Sequence, residues 1–222
     1  LFKDKSNFNE DISKWNTSNV TNMNNMFNNA TEFNQNISEK QIVNGITYTA
    51  WDTSKVVSMI DMFNGANKYD YSIDNWKVSN VTTMYQMFSN ALVFNKPLNN
   101  WTVTNVNTLQ SMFNNALLFN QYIGEWDVSN VTNMSNMFYN TNQTGIYNQQ
   151  LTRKWSPPTN VDLTNMFYGQ PNIKSYYRIN DTPLYRNFAP NIFNDSDIQT
   201  GVDDWVNDPA YAEILYGAHI SD

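Results

Sequence analysis

The sequence predicts an α/β repeat solenoid in which each coil carries a short parallel strand and one or two short helical turns. Three observations predict it. Tryptophan opens the same phrase at Trp15, Trp51, Trp76, Trp101 and Trp126, and a degraded sixth copy starts at Trp155. The spacings are 36, 25, 25, 25 and 29 residues, which is a period of 25 with two insertions. Within each copy the apolar residues recur at fixed places, so neighbouring copies can stack them into continuous columns.

The chain starts inside a unit. Leu1-Phe2 stands where Met112-Phe113 stands in a later copy, and Phe8-Asn9 where Phe119-Asn120 stands, so a longer parent protein is expected. Each tryptophan is followed five residues later by Val20, Val56, Val81, Val106 or Val131. This β-branched stretch predicts a strand of three or four residues. Then come Met23, Met59, Met84, Leu109 and Met134, followed by Met26, Met62, Met87, Met112 and Met137 with Phe27, Phe63, Phe88, Phe113 and Phe138 beside them. Their separations of 3, 3 and 1 fit a short helical turn packed inward better than a strand of period two. Trp, Met and Phe of these columns form the expected repeat core, with each buried side chain contributing on the order of 1.5–3 kcal/mol. Methionine thioethers could bind a metal, but regular repetition beside Phe reads as core filling.

Fourteen residues after each tryptophan stand Asn29, Gly65, Asn90, Asn115 and Asn140. The interchange of Asn with Gly predicts a residue at positive φ closing a turn. A later column, Asn34, Asp70, Asn95, Asn120 and Asn148, predicts a ladder of side-chain amides bonded to the backbone of adjacent coils. The single carboxylate in it, Asp70, is a poor basis for a calcium site, which needs several oxygens. The insertions cover roughly residues 39–50 and 144–147, and in a repeat array such loops share one face and often carry the binding.

The sixth unit keeps Leu163, Met166 and Phe167 in register, yet Asn160 takes the valine place and Pro157-Pro158 interrupts the strand, as in a capping unit. The solenoid therefore spans residues 1–168. An irregular cover or linker is expected over 169–195. A helical segment follows over 196–222, with Asp208-Pro209 supplying a cap and first-turn proline, and its end in Ile220-Ser221-Asp222 predicts a tryptophan immediately beyond, opening a second array.

Charged residues are only 15% of the chain, and the polar surface comes largely from its 39 asparagines. A net charge of −7 argues against neutralising nucleic-acid phosphates or anionic lipid headgroups. No apolar run is long enough to span a bilayer. Cysteine is absent and His219 is the single histidine, so thiolate and paired-histidine metal sites are excluded. No phosphate loop or nucleophile elbow occurs, and Asp203-Asp204 lie on adjacent helix positions. Neither catalytic, cofactor nor metal residues are expected.

The phrase Trp126-Asp127-Val128-Ser129-Asn130-Val131-Thr132-Asn133-Met134, continuing to Met137-Phe138, resembles the bacterial surface protein repeat of about 26 residues, grouped with BspA-like leucine-rich repeats. The resemblance covers residues 1 to about 168. The segment from Val202 to Ile220 is similar to a leader before such arrays in algal and large-DNA-virus members. The resemblance implies leucine-rich-repeat-like coils on a cell surface or virus particle, with no enzymatic residues to carry over. The function expected is a structural or adhesive module contacting a protein of a host cell or particle; a carbohydrate-binding module using exposed Tyr and Asn is the alternative.

Overall fold

The computed structural model describes residues 1–43, 47–149, 155, 157–170, 178–179 and 182–183. The expected α/β solenoid with helical turns and short parallel strands is not what these residues form. There is no helix among them. The strands are β1 (Lys40–Val43), β2 (Thr47–Ala50), β3 (Arg178–Ile179) and β4 (Thr182–Pro183), and both pairs, β1 with β2 and β3 with β4, run antiparallel. The β1–β2 hairpin lies in the first insertion rather than in the repeat phrase.

What the repeats contribute instead is a succession of tight turns. In the unit opened by Trp76, the amides of Trp76, Val81, Met87, Ser89, Ala91 and Phe94 donate to the carbonyls of Ile73, Val78, Met84, Gln86, Phe88 and Ala91, three residues back each time. Gln86 at φ 53° and Asn90 at φ 55° hold the third place of the 84–87 and 88–91 turns. That is the place where a type II turn requires positive φ. A left-handed residue every fourth position forbids a right-handed helix. A three-residue apolar spacing follows from turns closing i to i+3 as readily as from helix, and this is why Met84, Met87 and Phe88 mimic a helical face.

The strand expectation fails for a related reason. Each unit offers one isolated parallel bridge, Asn22 with Ser58, Ser58 with Thr83, Thr83 with Thr108, Thr108 with Asn133, and Asn133 with Asp162. In the Trp76 unit the bridge at Thr83 is trapped between the 78–81 turn and the 84–87 turn, so no ladder can extend.

The free amides of the turns complete the accounting by crossing to the next unit. Met84, Gln86, Phe88 and Asn90 donate to Thr108, Gln110, Met112 and Asn114 at 3.2, 3.0, 2.9 and 2.7 Å. Backbone donors along 84–91 therefore alternate between closing their own turn and gripping the neighbour, with Tyr85 donating to the Thr83 hydroxyl. A buried backbone without regular structure is tolerable because its polar groups are paired.

The interior is aromatic and apolar. Phe27, Phe63, Phe88, Phe113, Phe138 and Phe167 stack in one column with centroids 5.3–5.6 Å apart. A second column, Phe33, Tyr69, Phe94, Phe119 and Tyr147, lies beside it. The helical segment expected over 196–222 lies outside the described residues. Of the expected cover over 169–195, Gly169, Gln170 and the backbone of β3 and β4 are described.

Candidate functional site

The predicted core residues are placed as follows. Trp51, Trp76, Trp101 and Trp126 are buried, as are Met26, Met62, Met87, Met112 and Met137 and Phe27, Phe63, Phe88, Phe113 and Phe138. Trp15 is 39% exposed and lies against Phe2, 5.7 Å away between ring centroids.

Each buried indole also serves as a hydrogen-bond donor. Trp51, Trp76, Trp101, Trp126 and Trp155 donate Nε1–H to the carbonyls of Ile12, Ile37, Ile73, Leu98 and Ile123, at 2.8–3.0 Å. Ile37 thus holds the same register as Ile73, which places the first insertion between Ile37 and Trp51. Sequence reasoning gave the tryptophans a packing role and missed this polar one; their strict retention over Phe was the available signal.

Positive φ occurs at Asn29 (57°), Gly65 (71°), Asn90 (55°) and Asn115 (53°). Asn140 departs from the expectation and is not in the left-handed region. Its side-chain oxygen accepts the amides of Asn142 and Thr144, steering the chain into the second insertion, and Gln143 at φ 55° takes over the reversal. The other left-handed column, Asn25, Asp61, Gln86, Ser111, Asn136 and Asn165, went unread in the sequence. Gln and Ser there dilute the Asn/Gly signature.

On the outer surface the later column forms its ladder. The side-chain oxygens of Asn9, Asn34, Asp70, Asn95 and Asn120 accept the backbone amides of Asn34, Asp70, Asn95, Asn120 and Asn148, one unit on each time. The residue after each ladder member reaches back as well: Gln35 to Asn9, Lys96 to Asp70, Gln121 to Asn95, and Gln149 to Asn120. Where the ladder carries a carboxylate the partner is an ammonium, Lys96 Nζ lying 2.7 Å from Asp70. Asp70 is thereby accounted for as half of an ion pair.

Tyr71 breaks this pattern. Holding the reaching-back position of its unit, it leaves a large ring 40% exposed. It lines an open depression of about 420 Å³ together with Asn36, Ser38, Ser72, Asp74 and Asn75. The depression lies where the first insertion leaves the repeat. Asn75 fixes that departure, accepting the Glu39 amide at 3.3 Å and donating to the Glu39 carbonyl at 2.9 Å. Lys77 pairs with the Glu39 carboxylate at 2.8 Å, and this bond raises the lysine's pKa.

Elsewhere carboxylates serve the turns. Asp127 is held below its ordinary value by the Ser129 hydroxyl and amide, and Asp162 by the Thr164 amide and hydroxyl. No group of three or more His, Cys, Asp or Glu gathers among the described residues.

These features define a repeat protein of stacked turns, with an aromatic interior and an amide-laddered exterior interrupted at one hairpin. Family models match residues 1–47 and 39–155 under the description Mycoplasma protein of unknown function, DUF285. The chain belongs to that family. Its match spans the repeats and assigns them no activity. No curated protein and no solved structure matches the chain. Among the described residues no helix is long and apolar enough to cross a membrane.

Proposed function

We propose that the chain is a non-enzymatic structural or adhesive module that contacts another protein at a cell surface or on a virus particle, in the manner of the BspA-like surface repeats it resembles. The observation that carries the reading is the β1–β2 hairpin. It forms a two-stranded sheet between Lys40–Val43 and Thr47–Ala50, inserted into an otherwise periodic stack and clamped at its base by Asn75 and Lys77. Two-stranded sheets have outward-facing edges that accept a further strand, and extended segments of partner proteins bind by that addition. The surface location rests on the family resemblance.

The register supplies a clean test. Deleting residues 39–49 joins Ser38 to Ala50 and restores the Ile-to-Trp spacing of three seen at Ile73 and Trp76. The full chain, biotinylated at its amino terminus and treated with a soluble crosslinker, is expected to attach to a discrete protein on intact cells or particles, and the shortened variant carries the same label. The shortened variant, folded by near-ultraviolet circular dichroism, is expected to lose that attachment. Equal attachment by the shortened variant, or none by either, contradicts the proposal.

A further inference from the structure

We propose that the depression at the base of the hairpin binds a neutral saccharide, with a pyranose ring seated on Tyr71 and its hydroxyls bonded by Asp74, Ser72 and Asn36. This inference goes beyond the protein contact proposed above and shares with it only the Asn75–Glu39 clamp.

The first argument is the broken pattern. Gln35, Lys96, Gln121 and Gln149 all spend their polar ends on the ladder, whereas Tyr71 at the same place leaves an aromatic ring in solvent. Elsewhere the repeat fills that place with a residue that serves the fold, so its replacement by an exposed ring frees the position for another use.

The second argument is the chemistry of the lining. Asn36 commits its Oδ1 to the Ser38 amide and hydroxyl, at 3.1 and 2.7 Å, so its NH₂ is presented as a donor. Asp74 accepts the backbone and side-chain amides of Asn100, which fixes the carboxylate, while each oxygen keeps a second acceptor position. The Ser72 hydroxyl, 3.5 Å from the Asp74 amide, adds a group that both donates and accepts. Among the described residues no lysine or arginine lines the depression, and its one carboxylate is too few for a calcium ion. A sugar ring supplies what remains: an apolar face for an aromatic side chain and hydroxyls that donate to a carboxylate and accept from an amide.

The third argument is preorganisation. Asn75 is pinned to Glu39 and Asp74 to Asn100, so little side-chain freedom is lost on binding.

The test is a titration of the full chain, followed by heteronuclear NMR, with methyl glycosides of glucose, galactose, mannose and N-acetylglucosamine. At least one is expected to give saturable shifts centred on Tyr71, Asp74 and Asn36. Tyr71→Ala should weaken that binding by about tenfold or more, as expected for loss of an aromatic platform. Tyr71→Phe should retain it, and Leu118→Ala, exposed on another part of the surface, should leave it unchanged. Because Tyr71 is exposed, the thermal midpoint of Tyr71→Ala should match the parent, which separates lost binding from lost folding. Absence of shifts with every glycoside, or equal binding by Tyr71→Ala, overturns the inference. Attachment through the hairpin can survive that result, so the two readings fail separately.

Discussion

At the scale of single residues, the strongest constraint is the buried indole. Trp101 fills the interior and satisfies the Ile73 carbonyl at 3.0 Å. Trp101→Phe both shrinks a packed side chain and removes one of the two bonds that carbonyl accepts, leaving it the Trp76 amide, a combined cost of about 1–3 kcal/mol in urea denaturation. Tyr69 presents the opposite case. Its ring continues the Phe33–Phe94 column, but its hydroxyl is buried with no hydrogen-bond partner among the described residues. Burial, with Asp70 and then Tyr71 adding to it, raises the phenol well above its ordinary 10.0. The fold therefore favours the neutral phenol, so this contribution to stability is complete below pH 10.0 and lost as pH rises past it. Tyr69→Phe should be neutral to about 1 kcal/mol stabilising at neutral pH, and its unfolding midpoint should fall less than the parent's on moving to alkaline buffer. The positions of the tryptophans were legible in the sequence. The indole's donor role was not, because its acceptor is a backbone carbonyl in a different unit, and no side-chain pattern records a carbonyl.

At the scale of elements, the turns explain which local signals could be read. Asn and Gly at Asn29, Gly65, Asn90 and Asn115 announce positive φ by chemistry alone, since few other residues tolerate it. Whether the turns between them close as helix or as successive β-turns depends on the cross-unit bonds, which spacing does not encode. Met84, Met87 and Phe88 would face inward in either case. Gly169 is the sharpest of these positions: at φ 76°, any Cβ would lie 2.0 Å from the carbonyl oxygen of Asn140. Gly169→Ala should cost more than about 2 kcal/mol and release the last unit, seen as lost protection of the Asn140 amide, which donates to Tyr168. Asn90→Val should cost about 1–2 kcal/mol, whereas Asn90→Gly should stay within about 0.5 kcal/mol of the parent in the same denaturation experiment. The hairpin was read only as an insertion, although Asn44-Gly45 between Ile42-Val43 and Ile46-Thr47 is a hairpin signal. Strand pairing inside it is local, and nothing in its length of added chain distinguishes a hairpin from an open loop.

At the scale of the whole molecule, every unit is bonded to its neighbours and to little else, so stability should rise with unit number. Removing residues 77–101 takes out one period and joins Trp76 to Thr102 in register. That variant should fold with a lower urea midpoint, while a deletion of half a period should not fold. The candidate saccharide site was partly legible at this scale, because exposed Tyr and Asn pointed to sugar binding and the insertions, separately, to places where binding occurs. The choice of Tyr71 was not, because its significance lies in failing to reach a ladder that only the stacked structure reveals. Turn amides hold the stack together by crossing between units. Amide hydrogen exchange of the full chain measures this directly at Met84, Gln86, Phe88 and Asn90, whose amides donate to Thr108, Gln110, Met112 and Asn114. Slow exchange at all four, despite their lying outside any helix or strand, is the predicted result. Exchange at the rate of unstructured chain at these amides would contradict it.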